Sequence, residues 1–372
     1  MSAADNNELK LLDNASREFA KKILAPEREE NDKFPFGPFF SHVIDKAFGL
    51  DFFHITLPED LGGVGHGFKA LCLVLDNICQ EDSSLGGIIF TNAFAQQIML
   101  AAGAGETIKS LTADPKQPTD CLIACPILCN PAETPPPVKA VKRGDHYLLS
   151  GSADYVVMGG FAGKALVPAT IEGTPGYAWF LVDLADASLT KSDPIMSHGL
   201  HACPAVDLTF RETIGRTVGD PGQGDAYFKK AAAPMQLAAA AMSCGIMKGS
   251  FNEALGYCRQ RSQGGKKLKD WSEIQMLLAN MAIQMQVADL LISRACQVLT
   301  DEEKNWQIKI QAAALHVQTL ATALATDGIQ AMGGVGYMKD FGQEKRFRDA
   351  GQIQAFLGNF PMKKINLIKH IL

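Results

Sequence analysis

Residues 330–358 read QAMGGVGYMKDFGQEKRFRDAGQIQAFLG. The stretch opens on Gln330 and a turn made from Gly333, Gly334 and Gly336. It runs through mixed charges to Arg348-Asp349-Ala350 and closes on Phe356-Leu357-Gly358. Paired glycines let a backbone lie close against a ligand or a neighbouring helix, because no Cβ stands in the way. Between two helix-like runs such a turn either caps the first helix or offers its amides to a flat or anionic ligand. These residues alone leave both readings open.

Working upstream, Ala-, Met-, Gln- and Leu-rich runs extend from about Tyr227 to Leu299 and again from Trp306 to Gly328. Faces that rich in alanine favour close helix–helix approach in a bundle. Between about Asp120 and that bundle the pattern changes. CLIACPILC, HYLLSGSADYVVM, KALVPATI and YAWFLVDL are short, β-branched and aromatic, and separated by Gly, Pro and Asp. That pattern predicts an antiparallel β domain, with the prolines at 135–137 in a surface loop. Before it the chain is helical again. Leu9, Leu12, Phe19 and Ile23 recur at helical spacing, with Pro26 expected to stop that run. Leu57-Pro58-Glu59-Asp60-Leu61-Gly62-Gly63 reads as a turn, and Phe68 to Glu81 and Leu85 to Ala102 as two further helices. The expected fold is mostly α with a middle β domain: 1–118 helical, 119–226 a β barrel or sandwich, 227–372 a helical bundle.

Composition narrows the function classes. A net charge of −5 lacks the electrostatic footprint of a nucleic-acid binder. No segment holds eighteen uninterrupted apolar residues, and the polar start has no basic-then-apolar signal pattern, so the expectation is a cytoplasmic protein without a membrane span. Nine scattered cysteines fit reduced thiols. Cys121, Cys125 and Cys129 repeat every four residues, but that spacing matches no zinc or iron–sulfur pattern. His198, His201 and His316 are too dispersed for a metal site, so none is expected.

Helices, then a small β domain, then a bundle is a layout few folds share, and four motifs in order strengthen it. LPEDLGG resembles the PEE-x-GG turn of the acyl-CoA dehydrogenase family. KRGDHYLLSGSADYVVMGG is similar to that family's K-x-G-D-x-Y-x-x-x-G-x-K-x-W-I-T-N-G stretch. YCRQRSQGG resembles Y-x-x-x-R-x-x-F-G, with Gln275 standing for the glutamine that follows. The C-terminal stretch resembles Q-x-x-GG-x-GY…RDA…YEG. The resemblance covers nearly the whole chain. It implies a tetramer of three-domain subunits with a C-terminal four-helix bundle, holding FAD and oxidising CoA thioesters to enoyl products. In such enzymes a glutamate removes the α-proton, flavin N5 takes the β-hydride, and an electron-transfer flavoprotein is the usual acceptor.

Carried over residue by residue, the resemblance splits. Proton abstraction needs a carboxylate beside the reacting carbon, yet the base position of Y-E-G is Leu357. The alternative position, ten residues before Gly245 on the first bundle helix, is Met235. The flavin-holding T-E-P-x-x-G-S-D loop corresponds to Cys125-Pro126-Ile127 through Ala132, W-I-T to Tyr155-Val156-Val157, and the threonine after Glu-Gly to Asn359. These have lost the flavin-bonding hydroxyls, although Tyr155 retains a ring that could stack. The groups a subunit contributes to its neighbour's FAD remain: Arg261 for the pyrophosphate, and Gln330, Gly333 and Gly334 for the adenosine end. Gly264 replaces that motif's aromatic.

The expectation is therefore a non-catalytic chain that completes the FAD site of a homologous catalytic subunit, in an α2β2 heterotetramer acting on acyl-CoA. One alternative is an active dehydrogenase whose base has moved to Asp82 or Glu81, where Asp82-Ser83-Ser84 also reads as an N-cap. Another is a flavin-free scaffold that binds CoA esters.

Overall fold

The computed structural model describes residues 3–113 and 115–372. The first layer is helical: α1 (Ala3–Phe19), α2 (Arg28–Asn31), α3 (Ser41–Gly49), α4 (Gly67–Ile78), α5 (Ser83–Ala101) and α6 (Gly105–Thr112). Helix α5 is apolar all round and is buried along almost its whole length, as expected of a helix packed on every side. Pro26 does not stop the first run. The chain passes from α1 through a wide turn (Ala20–Leu24) and a tight one (Ala25–Glu27) into α2. Proline is tolerated there because a first-turn position needs no amide donor.

The β domain comprises β1 (Ile123–Ala124), β2 (Lys139–Arg143), β3 (His146–Val157), β4 (Lys164–Ile171), β5 (Ala178–Asp183), β6 (Leu189–Lys191) and β7 (Ala205–Val218). The order β4-β2-β3-β7-β5 returns to β4, so five strands close a barrel, with β1 and β6 on its flanks. The expected antiparallel pairing holds except at two short parallel contacts. Lys139 and Ala140 lie beside Thr170 and Ile171, and β1 lies along the start of β4. The first of these joins β2 to β4 and completes the ring, which removes a sheet edge. Trp179 and Phe180 are fully buried inside the domain.

The third layer holds α7 (Gly224–Gln260), the hairpin β8 (Ser262–Gln263) and β9 (Lys266–Lys267), α8 (Ser272–Thr300), α9 (Trp306–Met332), α10 (Gln343–Gln354) and α11 (Phe360–Lys369). Helix α7 is continuous across Pro234 and packs on α4, α5 and α9. Its glycines set the distance to α4: a Cβ at Gly245 would stand 2.3 Å from the Asp76 carbonyl oxygen. Helix α8 is the anomaly. Its 18-residue window of mean hydropathy 1.4 is long and apolar enough to cross a bilayer on composition alone, and little of it is covered. Met276, Ile283 and Leu290, spaced seven apart, are each more than 60% exposed.

Candidate functional site

Leu357 sits where the loop between α10 and α11 turns. Its φ is +63°, and it is 3% exposed. A leucine held left-handed costs about 1 kcal/mol. The position is pinned because its amide donates to the Ile127 carbonyl at 2.6 Å. Ile127 belongs to the 125–132 loop, whose Cys125 makes a two-way backbone bridge to Val157 at 3.2 Å. The loop, the end of β3 and the 357 turn therefore meet at one place. Tyr155, Met158, Leu200 and Leu357 all have positive φ there. Non-glycine residues in that region gather at sites whose surroundings hold them in place.

The interior of this junction is filled. The Tyr155 hydroxyl accepts from Gln352 Nε2 at 2.7 Å. Phe356 packs on Phe90 with ring centroids 4.7 Å apart. The space left among Ile127, Tyr155, Val157, Leu200, Cys203 and Phe356 is about 10 Å³. That is a single water's worth, and a three-ring isoalloxazine does not fit in it. Asn359 caps α11, accepting from the Met362 amide at 3.4 Å. The junction has the strained backbone of a site and the side chains of a core.

On the other side of Leu357 the chain is open. A cleft of about 930 Å³ is bounded by the starts of α7 and α9, the 130–133 loop and α11. Lys229, Lys230, Lys363 and Lys369 line it, against the single carboxylate of Glu133. Lys363 is 4% exposed and donates to the Gln354 and Phe356 carbonyls at 2.9 Å each. Burial drives its ammonium down to about 8 against the weaker pull of Glu133. Met235, expected from the resemblance at an alternative base position, is fully buried in α7.

Asp82 and Glu81 lie in neither space. Asp82 is the N-cap of α5: Oδ1 accepts from the Ser84 amide at 2.8 Å and from Lys345 Nζ at 2.9 Å. Lys345 also reaches Asp349 at 2.7 Å, and Asp349 accepts from the Leu200 amide. Burial works to lower the Lys345 pKa, but Asp349, Asp82 and Asp32 raise it above the ordinary lysine range. Glu81 faces Arg28 at 3.5 Å. A further cluster is tied to this network. Asp32 bonds Arg348 at 2.6 Å and His201 at 2.9 Å, and Arg348 also pairs with Glu344. Burial favours the neutral Asp32 carboxyl, yet His201, Lys345 and Arg348 hold it well below the usual range. Sequence reading missed this network. Its signal was Arg348-Asp349 in the opening stretch, taken there only as a motif element. Asp76, Cys244 and Asp289 also converge, but the Lys248 ammonium already bridges both carboxylates, at 2.8 and 2.6 Å.

Arg261, Gln330, Gly333 and Gly334 share one end of the bundle. Cys258 Sγ, near the end of α7, lies 3.6 Å from the Ala331 carbonyl of α9. Tyr257 meets Phe341 just beyond, with ring centroids 6.3 Å apart. All four residues are exposed. The Gly333 amide donates to the Gln330 carbonyl, so the turn is a helix cap and also presents its outer face to solvent. Arg261 ends α7, and its guanidinium has no partner among the described residues. Gln275 lies at the start of α8, and its amide nitrogen donates to the Lys269 carbonyl at 3.1 Å.

Residues 6–110 match the acyl-CoA dehydrogenase N-terminal domain, and residues 222–372 match the C-terminal domain. The chain belongs to the acyl-CoA dehydrogenase family. Among its relatives is subunit CarC of the caffeyl-CoA reductase–Etf complex of Acetobacterium woodii. It is 25% identical, with 96% of each chain covered. The cyclohex-1-ene-1-carbonyl-CoA dehydrogenase of Syntrophus aciditrophicus is 26% identical, over 94% of this chain and 86% of that one. Butyryl-CoA dehydrogenase of Megasphaera elsdenii has the same fold, with a TM-score of 0.87 at 21% identity, covering 100% of this chain and 98% of that one. The family's three-layer order is the one seen here.

Proposed function

We propose that this chain is the non-catalytic subunit of a heteromeric acyl-CoA dehydrogenase and completes the FAD site of a homologous catalytic partner. One contrast supports the reading: the residues that resemble the two halves of the family's flavin site have unlike surroundings in this molecule. In the half that would face its own cleft, the space among Tyr155, Val157 and Phe356 is filled to about 10 Å³. The half facing outward keeps an unpaired arginine and an open glycine turn at the same bundle end. A guanidinium with no partner among the described residues is free to pair with a pyrophosphate through charge-assisted, bidentate hydrogen bonds. The apolar stripe of α8 adds a surface that needs covering, in keeping with an α2β2 assembly. Because CarC is a subunit of a reductase–Etf complex, an electron-transfer flavoprotein is the acceptor we assign to the assembly.

A chain tagged and purified from its own cells should bring down a second polypeptide of the same family, with about one FAD per heterodimer. Recovery of identical copies only, turning over a thioester, would refute the reading.

A second reading has its own support. The cleft beside Leu357 is large and has an excess of lysines over carboxylates, which suits a CoA ester bound without oxidation. Binding of a CoA thioester to the flavin-free chain, with no flavoprotein partner in any preparation, would favour it. The relocated-base alternative gains little from Asp82, which is 1% exposed, caps α5 and pairs with Lys345 through Oδ1, away from both spaces.

A further inference from the structure

The hairpin that follows Arg261 brings Gly264 against the indole of Trp271. Gly264 stands where the motif places an aromatic ring, and it takes φ +62°. A Cβ built there would lie 2.9 Å from Cζ2 of Trp271, so a larger residue at 264 and the indole cannot share that space. The indole is fixed on the hairpin. Its Nε1 donates to the Gln263 carbonyl at 3.1 Å, and the Lys266 ammonium sits 4.1 Å from the ring centroid. The hairpin is in turn tied to the arginine, because the Leu268 amide donates to the Arg261 carbonyl at 2.9 Å. Trp271 is half-buried at the edge of an exposed segment carrying Arg261, Lys266, Lys267 and Lys269.

Resting on the function proposed above, we propose that Trp271 is the aromatic platform this chain offers to the flat ring of its partner's dinucleotide. It replaces the ring lost at 264 from a position ten residues after the arginine. The lysine over one part of the indole adds positive charge beside the stacking surface, which suits an electron-rich purine next to a pyrophosphate. Indole supplies a large stacking surface that needs little side-chain ordering, and base–aromatic stacking tolerates a change in the origin of the ring.

The test uses the complex purified through a tag on this chain, with FAD as the probe after mild removal of bound flavin. Trp271→Ala should weaken FAD rebinding about 5- to 100-fold. Trp271→Phe should stay within about threefold of wild type. The double variant Trp271→Ala with Gly264→Phe, which moves the ring back to the motif position, should recover most of the loss. Trp271 emission should also be quenched as FAD binds, leaving the signals of Trp179 and Trp306. The platform is overturned if Trp271→Ala rebinds FAD like wild type while Arg261→Ala does not. It is equally overturned if Trp271→Phe loses as much FAD affinity as Trp271→Ala in a folded complex. A complex with no FAD in any variant would instead overturn the functional reading beneath it.

Discussion

Replacing Asp82 with asparagine separates a structural carboxylate from a chemical one. Asparagine retains the N-cap of α5, since its side-chain oxygen accepts from the Ser84 amide as well as aspartate does. What disappears is the negative charge 2.9 Å from Lys345 Nζ, in a place where the two side chains are 0% and 4% exposed. Removing one partner of a buried pair costs about 3–5 kcal/mol, because the remaining charge is left uncompensated. Here Asp349 still faces the ammonium at 2.7 Å, so the loss should be smaller, roughly 2–4 kcal/mol. Asp82→Ala should cost about 1 kcal/mol more, for the cap. Chemical denaturation of the assembled protein measures both values, and a double-mutant cycle with Lys345→Met isolates the coupling. Thioester turnover by the complex should fall only as far as folded protein does. If Asp82→Asn keeps the denaturation midpoint and abolishes turnover, the carboxylate is a base and the ion-pair reasoning fails.

Further outcomes follow from the same geometry. Arg261→Ala should leave the thermal midpoint unchanged and weaken FAD binding in the complex about 10- to 100-fold, the weight of one charge-assisted hydrogen bond at about 1.5–3 kcal/mol, as titrated by flavin fluorescence. Leu357→Glu should lower stability, because burial disfavours an ionised carboxylate. It should not create turnover in the isolated chain, since the space among Tyr155, Val157 and Phe356, where the resemblance places the flavin ring, is about 10 Å³. Acid should loosen the seam between the first and third layers. The Asp32 carboxyl is held below its unfolded value, so its contribution is complete above about pH 4 and is lost as pH falls toward its folded pKa. Asp32→Asn should flatten that part of the stability–pH curve. Ile283→Glu with Leu290→Glu should shift the assembly toward smaller species in light scattering, with the fold retained by circular dichroism.

The fold was readable because its patterns were local. Alternating β-branched runs separated by Gly and Pro mark the barrel, and the Ala-rich faces mark α7 and α9. Ring closure was not readable, since two residue pairs between β2 and β4 leave no trace in composition. The positions of Leu357, Met235 and Arg261 could be read only through motif spacing. What surrounds them could not. Nothing near Asp82 in the chain announces Lys345, which lies 263 residues away. Likewise, Gly264 reads as a simple loss until the indole of Trp271 is found against it, because a ring supplied from another sequence position preserves contact and not spacing.

The stripe along α8 also bears on how such a chain can be made. Met276, Ile283 and Leu290 present an oily seam whenever nothing covers them. Copies left without a covering surface would carry that seam into a crowded solution, where self-association and proteolysis compete for it. If the proposed heteromer is the native form, matched output of its two polypeptides is a requirement of solubility before it is one of catalysis.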